Sequence, residues 1–267
     1  MPELPEMETY KRMLTTKVVG KPISNIIVTR EKSLNIKSEF FQNTLQGNSF
    51  TQIDRRAKYL LFHLQTGQVL LLHLMLGGWM YFGREEESPD RTKQITLSFQ
   101  QESLYFIGLR LGYLHLFDQR QIEEKLKDLG PDPLSLTAPD FMTLVKKRRG
   151  VLKTTLVNQQ FVSGIGNFYS DEICFEAGLL PMRTADSLTD EEIAKLFNSM
   201  QRVLQLGIQN GGYMDHPFFH GDSLTGSFYQ QANVYDREGE PCKRCGTTIS
   251  KTILSSKKSF YCQNCQS

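Results

Sequence analysis

The spacing of apolar residues in this 267-residue chain changes once, and that change constrains its fold most. Between about residues 23 and 117 they come in short runs rich in leucine, β-branched and aromatic side chains: Ile23–Val28, Tyr59–Leu64, Gln68–Leu74, Trp79–Phe82, Ile95–Phe99 and Leu104–Leu116. Gly, Asp and Ser separate them, so they read as strands. After Gly130-Pro131-Asp132-Pro133 the spacing becomes helical over Ala138–Arg149, Val151–Gln159, Phe168–Ala177 and Thr189–Gln209. Thr189 and Glu192 form a capping-box signature for the last of these. Strands first and helices afterwards predict an α+β chain, with a β-sandwich or flattened barrel ahead of a helical domain. A helix over residues 5–18 leads the strands, with Pro5 in its first turn and Gly20-Lys21-Pro22 at its end. A further helical stretch near 34–46 interrupts them, and residues 211–230 read as a loop.

The C-terminal residues carry a second constraint. Cys242-x2-Cys245 and Cys262-x2-Cys265 stand sixteen residues apart, the zinc-ribbon spacing, in which four thiolates close one tetrahedral structural site. Disulfides are the competing use of such pairs, and a reducing compartment disfavours them. The residues between the pairs read as a hairpin, Thr248–Ile253 and Ser259–Tyr261, with Ser255-Ser256-Lys257-Lys258 at its tip. So small a unit buries little, and the metal would supply much of its folding energy. Cys174 is left over on an apolar helical face, as a core thiol.

Charge is segregated. Residues 141–170 carry Lys146, Lys147, Arg148, Arg149 and Lys153 without an acid, and residues 242–267 carry five cations without an acid. With +5 in each window and +2 in total, the remainder holds −8. Such a chain can turn a basic face to a polyanion, although a cationic run at a helix end also suits the helix dipole. Within the first window, Gly164-Ile165-Gly166-Asn167 joins two helical patterns. It serves either as a packing turn or as a grip for a phosphate on the free N–H groups of the following helix. Apolar content of 39% and charged content of 22% are globular values, and no run of about 18 apolar residues is present to span a membrane. MPELPEMETY is acidic and lacks an apolar signal core, so a cytoplasmic protein is expected.

Removal of Met1 would leave Pro2 as a terminal secondary amine with a pKa near ~8, partly free base at neutral pH and able to attack an aldehydic carbon. Glu3 and Glu6 stand beside it as candidate acid or base.

MPELPEMET, Arg55-Arg56-Ala57-Lys58-Tyr59-Leu60, Gly130-Pro131-Asp132-Pro133-Leu134, SGIGNFYSDE, VYDREGEPC and the terminal cysteine pairs together resemble the bacterial formamidopyrimidine-DNA glycosylase / endonuclease VIII family, from residue 2 to 265 and in the family's order. The resemblance implies three parts: a catalytic β-sandwich domain over 1–130, a helix–two-turn–helix DNA-binding domain over 131–233, and a zinc finger over 234–267. It implies excision of oxidised or ring-opened bases and cleavage of the strand at the abasic site, with damaged double-stranded DNA as partner to a monomer. By position, Pro2 would be the nucleophile at sugar C1′, Glu3 the acid that opens the sugar, and Lys58 a contact near the lesion. Glu6 would order the N-terminal helix. His73, Arg110, Lys153, Asn167 and Lys257 would hold DNA, and the lesion base would be flipped out, because an amine cannot reach C1′ inside the stack.

Four positions depart from the family pattern. The wedge methionine becomes Leu76 within His73-Leu74-Met75-Leu76-Gly77-Gly78. The loop that supplies an Arg and a Phe to the gap reads Gly108-Leu109-Arg110-Leu111-Gly112, which puts Leu109 and Leu111 there and leaves Arg110 one residue off, on the opposite face if the run is a strand. The finger's phosphate-binding Arg becomes Lys257, which keeps charge and loses the fork. After Gly211-Gly212, an aromatic run, Tyr213-Met214-Asp215-His216-Pro217-Phe218-Phe219, replaces small polar residues; stacking on a base and packing as core are both open to it. His216 and His220 have a spacing open to metal or to solvent. Ring-opened purines are the default substrate. Oxidised pyrimidines, bulky or crosslinked lesions, or damage binding without catalysis, are the alternatives.

Overall fold

The computed structural model describes every residue from Met1 to Ser267, and these fall into two compact units. The first comprises Met1–Lys127 and Asn210–Ser227, the second Asp128–Gln209 and Phe228–Ser267. The loop 210–227 therefore belongs with the strands and not with the helical residues beside it in sequence.

In the first unit, helix α1 (Leu4–Val18) precedes β1 (Asn25–Val28), α2 (Ser38–Leu45), β2 (Phe50–Arg56), β3 (Tyr59–Leu64), β4 (Val69–His73), β5 (Trp79–Gly83), β6 (Lys93–Phe99), β7 (Glu102–Ile107), β8 (Tyr113–Phe117) and α3 (Gln119–Leu126). The strands form two four-stranded antiparallel sheets, ordered β1-β6-β7-β5 and β2-β3-β4-β8. Alternate residues of both sheets fill one core: Met80, Phe82, Ile95, Leu97, Leu104 and Phe106 from the first, Leu60, Phe62, Leu70, Leu72, Leu114 and Leu116 from the second. Met7, Leu14 and Val18 add one stripe of α1 to that core. The β-sandwich with a leading helix is as expected. Two elements escaped the sequence reading: β2, whose Thr-Gln-Ile-Asp-Arg-Arg is mostly polar, and α3. The run Leu104–Leu116 is two strands, because Gly108 at a φ of +72° turns the chain between them.

The second unit holds α4 (Ala138–Lys146), α5 (Leu152–Leu156), α6 (Asn167–Ala177), α7 (Asp190–Gln209) and the hairpin β9 (Ser250–Leu254) and β10 (Lys257–Tyr261). The hairpin turns at Ser255 and Ser256, both at positive φ, the geometry of a two-residue primed turn. Two consecutive carboxylates of α6 fasten this hairpin. Asp171 accepts from the Ser259 hydroxyl at 2.7 Å and the Phe260 amide at 3.1 Å, while Glu172 accepts from the amides of Asn233, Val234 and Tyr235 at 2.9–3.0 Å. Phe175, one turn further along α6, packs with Val234, Ile249 and Phe260. Lys153 of α5 closes the arrangement: it is fully buried, 2.7 Å from the Asp171 carboxylate and 2.7 Å from the Asn167 carbonyl. Burial pushes the Asp171 carboxyl up to about 6 against the pull of Lys153, Ser259 and Phe260, so it is still anionic at neutral pH.

An Asp171→Asn variant leaves the Lys153 ammonium buried without a counter-charge. Its denaturation midpoint should fall by the equivalent of about 3–5 kcal/mol, with much of the loss recovered when Lys153→Met and Asp171→Leu are combined.

Candidate active site and nucleic-acid interface

The N-terminal residues are held inside the first unit. Pro2 is buried, and Glu3 and Glu6 are each 2% exposed. The Glu6 carboxylate accepts from the Glu3 amide at 2.7 Å and from the Tyr213 amide at 2.8 Å, tying the start of α1 to the loop after Gly211-Gly212. Gly212 is needed there twice over: its φ is +77°, and a Cβ would lie 2.2 Å from Glu6 Oε1. The Tyr213 hydroxyl donates to the Met1 carbonyl at 2.8 Å and lies 3.4 Å from the terminal nitrogen. Glu6 is thus committed to backbone donors, and the Glu3 side chain in turn accepts from the Glu6 amide, so the two carboxylates close a capping box at the start of α1. Tyr213 is a residue of the site that sequence reasoning left inside an undivided aromatic loop.

Lys58 sits at the two-residue turn between β2 and β3, beside Ala57, whose φ of +54° is unusual for a residue with a Cβ. Lys58 is 6% exposed; burial pulls its ammonium below the ordinary lysine value, while the charges of Glu3 and Glu6 pull the other way. Burial likewise lowers the terminal amine below 8.0, opposed by Glu3 and Glu6 and assisted by Lys58. The amine concerned is that of Met1, and a lowered value enlarges its free-base fraction, the form that attacks carbon. His73, 9% exposed, is depressed to about 4 by burial first and then by the charges of Lys58 and Lys125. It is therefore neutral, its Nδ1 accepting from the Met75 amide at 3.2 Å, so only Nε2–H is left to donate to DNA.

The two loops expected to enter the duplex meet through glycine. A Cβ on Gly108 would lie 2.0 Å from the Gly77 carbonyl, and one on Gly112 would lie 2.7 Å from that of His73. Leu76 and Leu111 project from these loops, 67% and 62% exposed, where single large apolar side chains stand clear of the core. Leu76 follows Met75, a second non-glycine residue at positive φ.

Leu109 corrects the reading. It is fully buried in the sandwich core, with its amide on Gln94 and its carbonyl on the Ser33 hydroxyl, so it cannot line a gap in DNA. Arg110 is exposed on a loop, so strand alternation does not govern where it stands.

The aromatic loop divides its work. Phe218 is core, 5.4 Å from the Tyr10 ring centroid; His216 stacks on Trp79 at 4.4 Å; Tyr213 meets the N-terminus.

In the second unit, Asn167 is exposed at the first turn of α6, whose N-cap Gly166 offers no side chain to the free amides. Gln159 braces the preceding turn, accepting from the Gly164 amide and donating to the Ile165 carbonyl, each at 2.8 Å. Lys153 is a second correction: with no exposed surface and its ammonium on Asp171 and Asn167, it positions the turn and has nothing to offer a phosphate. Lys257 is partly exposed at the start of β10.

The Sγ atoms of Cys242, Cys245, Cys262 and Cys265 lie within 4.8 Å of one another, with pairs at 3.5 and 3.9 Å. A tetrahedral zinc with bonds of ~2.3 Å needs sulfurs about 3.8 Å apart, so the four fit. They are the only group of three or more metal-ligating side chains, which leaves His216 and His220 outside any metal cluster. Cys174 is buried and its thiol pushed up by burial, a core residue as expected.

Comparison with known proteins agrees with this geometry part by part. Residues 1–114 match the formamidopyrimidine-DNA glycosylase N-terminal domain, 129–216 the H2TH domain of that glycosylase, and 239–267 the zinc finger found in FPG and IleRS. Formamidopyrimidine-DNA glycosylases of Desulfitobacterium hafniense and Bacillus anthracis are each 34% identical, over all of this chain and 100% and 99% of their own. A Lactococcus lactis FPG mutant in complex with Fapy-dG-containing DNA superposes with a TM-score of 0.91 at 28% identity, covering 99% of both chains. MutM in complex with carbocyclic 8-oxo-G-containing DNA gives 0.88 at 29%, covering 100% of both.

The finger and the four thiols together make zinc a structural ion of this chain. Chelation should release one zinc per chain and expose the amides of 234–267 to hydrogen exchange, while those of β3 and β4 stay protected.

Proposed function

The chain belongs to the formamidopyrimidine-DNA glycosylase family, and from that premise we propose how its own residues carry the reaction. It is a DNA repair enzyme, an N-glycosylase with abasic-site lyase activity. The observation that carries the assignment of roles is the common burial of Pro2, Glu3 and Lys58 at the N-terminus of the first unit, where the charge of Glu3 acts on the Lys58 ammonium.

Loss of Met1 makes the Pro2 nitrogen the attacking amine. Its lone pair forms a bond to C1′ of the damaged nucleotide as the C1′–N glycosidic bond breaks. Glu3 gives a proton to the opening sugar, and the base leaves with the bonding pair. The resulting iminium acidifies C2′; loss of that proton expels the 3′ phosphate, and water returns the free amine. Lys58 holds positive charge beside the reacting sugar, and Glu6 fixes the frame through its two backbone bonds. Asn167 and Lys257 hold backbone phosphates, and His73 donates Nε2–H as a neutral ring. Leu76 and Leu111 fill the gap left by the flipped base. Damaged duplex DNA is the partner and the chain acts as a monomer, since it carries its own nucleophile, acid and finger. Four thiols committed to zinc support the reducing cytoplasm as its compartment.

Borohydride should trap the processed protein on an abasic-site duplex, and a Pro2→Gly variant should trap at least tenfold more slowly. Glu3→Gln should lower release of a damaged base by about 10²–10⁴-fold while trapping on a preformed abasic aldehyde persists. Absence of any adduct despite tight binding would leave only a damage-binding role.

In the family's register the opposite-base arginine is replaced by Leu109, which is buried in the core, and a bidentate reader there would contribute about 1–3 kcal/mol of discrimination. Excision rates measured against the four opposite bases should therefore lie within about tenfold of one another, and strong cytosine selectivity would contradict the leucine assignment.

A further inference from the structure

We propose that a basic cavity beside the two leucine loops is a second anion site, built to hold a phosphodiester of the duplex; it rests on the reading of this chain as a DNA enzyme. The cavity, about 480 Å³, is lined by Arg30, Arg91, Arg110 and Trp79, with Gly77 and Gly108 in its wall. Its charge is uncompensated: none of the three arginines takes part in an ion pair with a carboxylate. Arg30 reaches across to the loop of Leu111, its Nη2 donating to the Arg110 carbonyl at 3.3 Å. Its Nε is buried with no acceptor, a donor that folded proteins seldom leave unmet. An anionic oxygen entering the cavity supplies that acceptor, and guanidinium forks match phosphate geometry.

The place of the cavity identifies the phosphate. Gly77 and Gly108 belong to the loops that carry Leu76 and Leu111, so an anion bound here lies beside the point where those leucines enter DNA. Trp79 forms a flat wall, held by the His216 ring stacked on it at 4.4 Å. Phosphate contacts position a protein on DNA, whereas base contacts specify sequence. With Leu109 buried and no base reader in the loop, the positive charge of this region serves the first purpose.

Trp79 is the only tryptophan of the chain, so intrinsic fluorescence reports on the cavity. Titration of the full-length protein with undamaged duplex should change that fluorescence in a salt-dependent way, and the Arg30→Gln/Arg91→Gln pair should abolish the change. The slope of log affinity against log salt should flatten by about 0.9 for one lost phosphate contact. A Lys11→Gln/Lys21→Gln pair, which removes the same charge from α1 and the turn after it, should leave both readings as in the wild type.

Three results would overturn the proposal: unchanged fluorescence on DNA binding, equal effects of the two double variants, or saturation by inorganic phosphate at the concentrations of phosphodiester that suffice for duplex. Because the duplex is undamaged, a wild-type protein that never traps an abasic site would refute the glycosylase mechanism without deciding this titration.

Discussion

The second unit depends on one buried charge pair. A lysine and an aspartate taken out of water must compensate each other, and the remaining hydrogen-bonding capacity of each must be met locally. Lys153 and Asp171 meet it with groups that matter to the fold: the Asn167 carbonyl at the start of α6, and the Ser259 hydroxyl and Phe260 amide of the finger hairpin. The same pair therefore fixes the exposed Asn167 and the strand that carries Lys257. Neutralising one partner strains the start of α6 and the finger hairpin at once, which explains why a cation within a basic window is spent inside the protein.

Glu6 performs the corresponding task in the first unit. Its carboxylate is consumed by the amides of Glu3 and Tyr213, so the N-terminal residues are anchored at a helix start and clamped by a loop more than 200 residues away. This division of labour between two neighbouring glutamates follows from geometry. Glu6 lies in the first turn of α1, where a carboxylate suits the helix N-terminus and reaches back to the capping residue. Glu3 precedes the helix as its N-cap and accepts from the Glu6 amide, the other half of the capping box.

The sequence made the architecture legible wherever local pattern decides structure: the sandwich, the long helices and the zinc ribbon. It concealed whatever depends on tertiary partners. β2 is polar because much of it is not core, and its assignment needs its neighbour β3. Lys153 looked like a phosphate ligand because a basic window carries no sign that one member will find an aspartate eighteen residues on. Leu109 looked like a wedge because registering it against the family's loop gives position and not burial; two positions separate core Leu109 from exposed Leu111. Tyr213, Arg30 and Trp79 belong to no motif that spacing alone reveals, and only the folded chain brings them to the N-terminus and the basic cavity.

On the roles proposed above, Leu76 and Leu111 together with His73 set what the protein would ask of DNA. A neutral His73 gives direction without charge, and the two leucines give volume without hydrogen bonds. Neither can reject a particular base: apolar side chains meet all four bases with similar energy, and a single N–H to backbone carries no sequence information. The unpaired arginines close by have the opposite character, strong and indifferent to sequence. An enzyme so equipped gains affinity from the backbone and must draw selectivity from the lesion itself. Damaged nucleotides cost less to unstack and extrude, so on the proposed roles the ease of flipping would do the discriminating before Pro2 is reached.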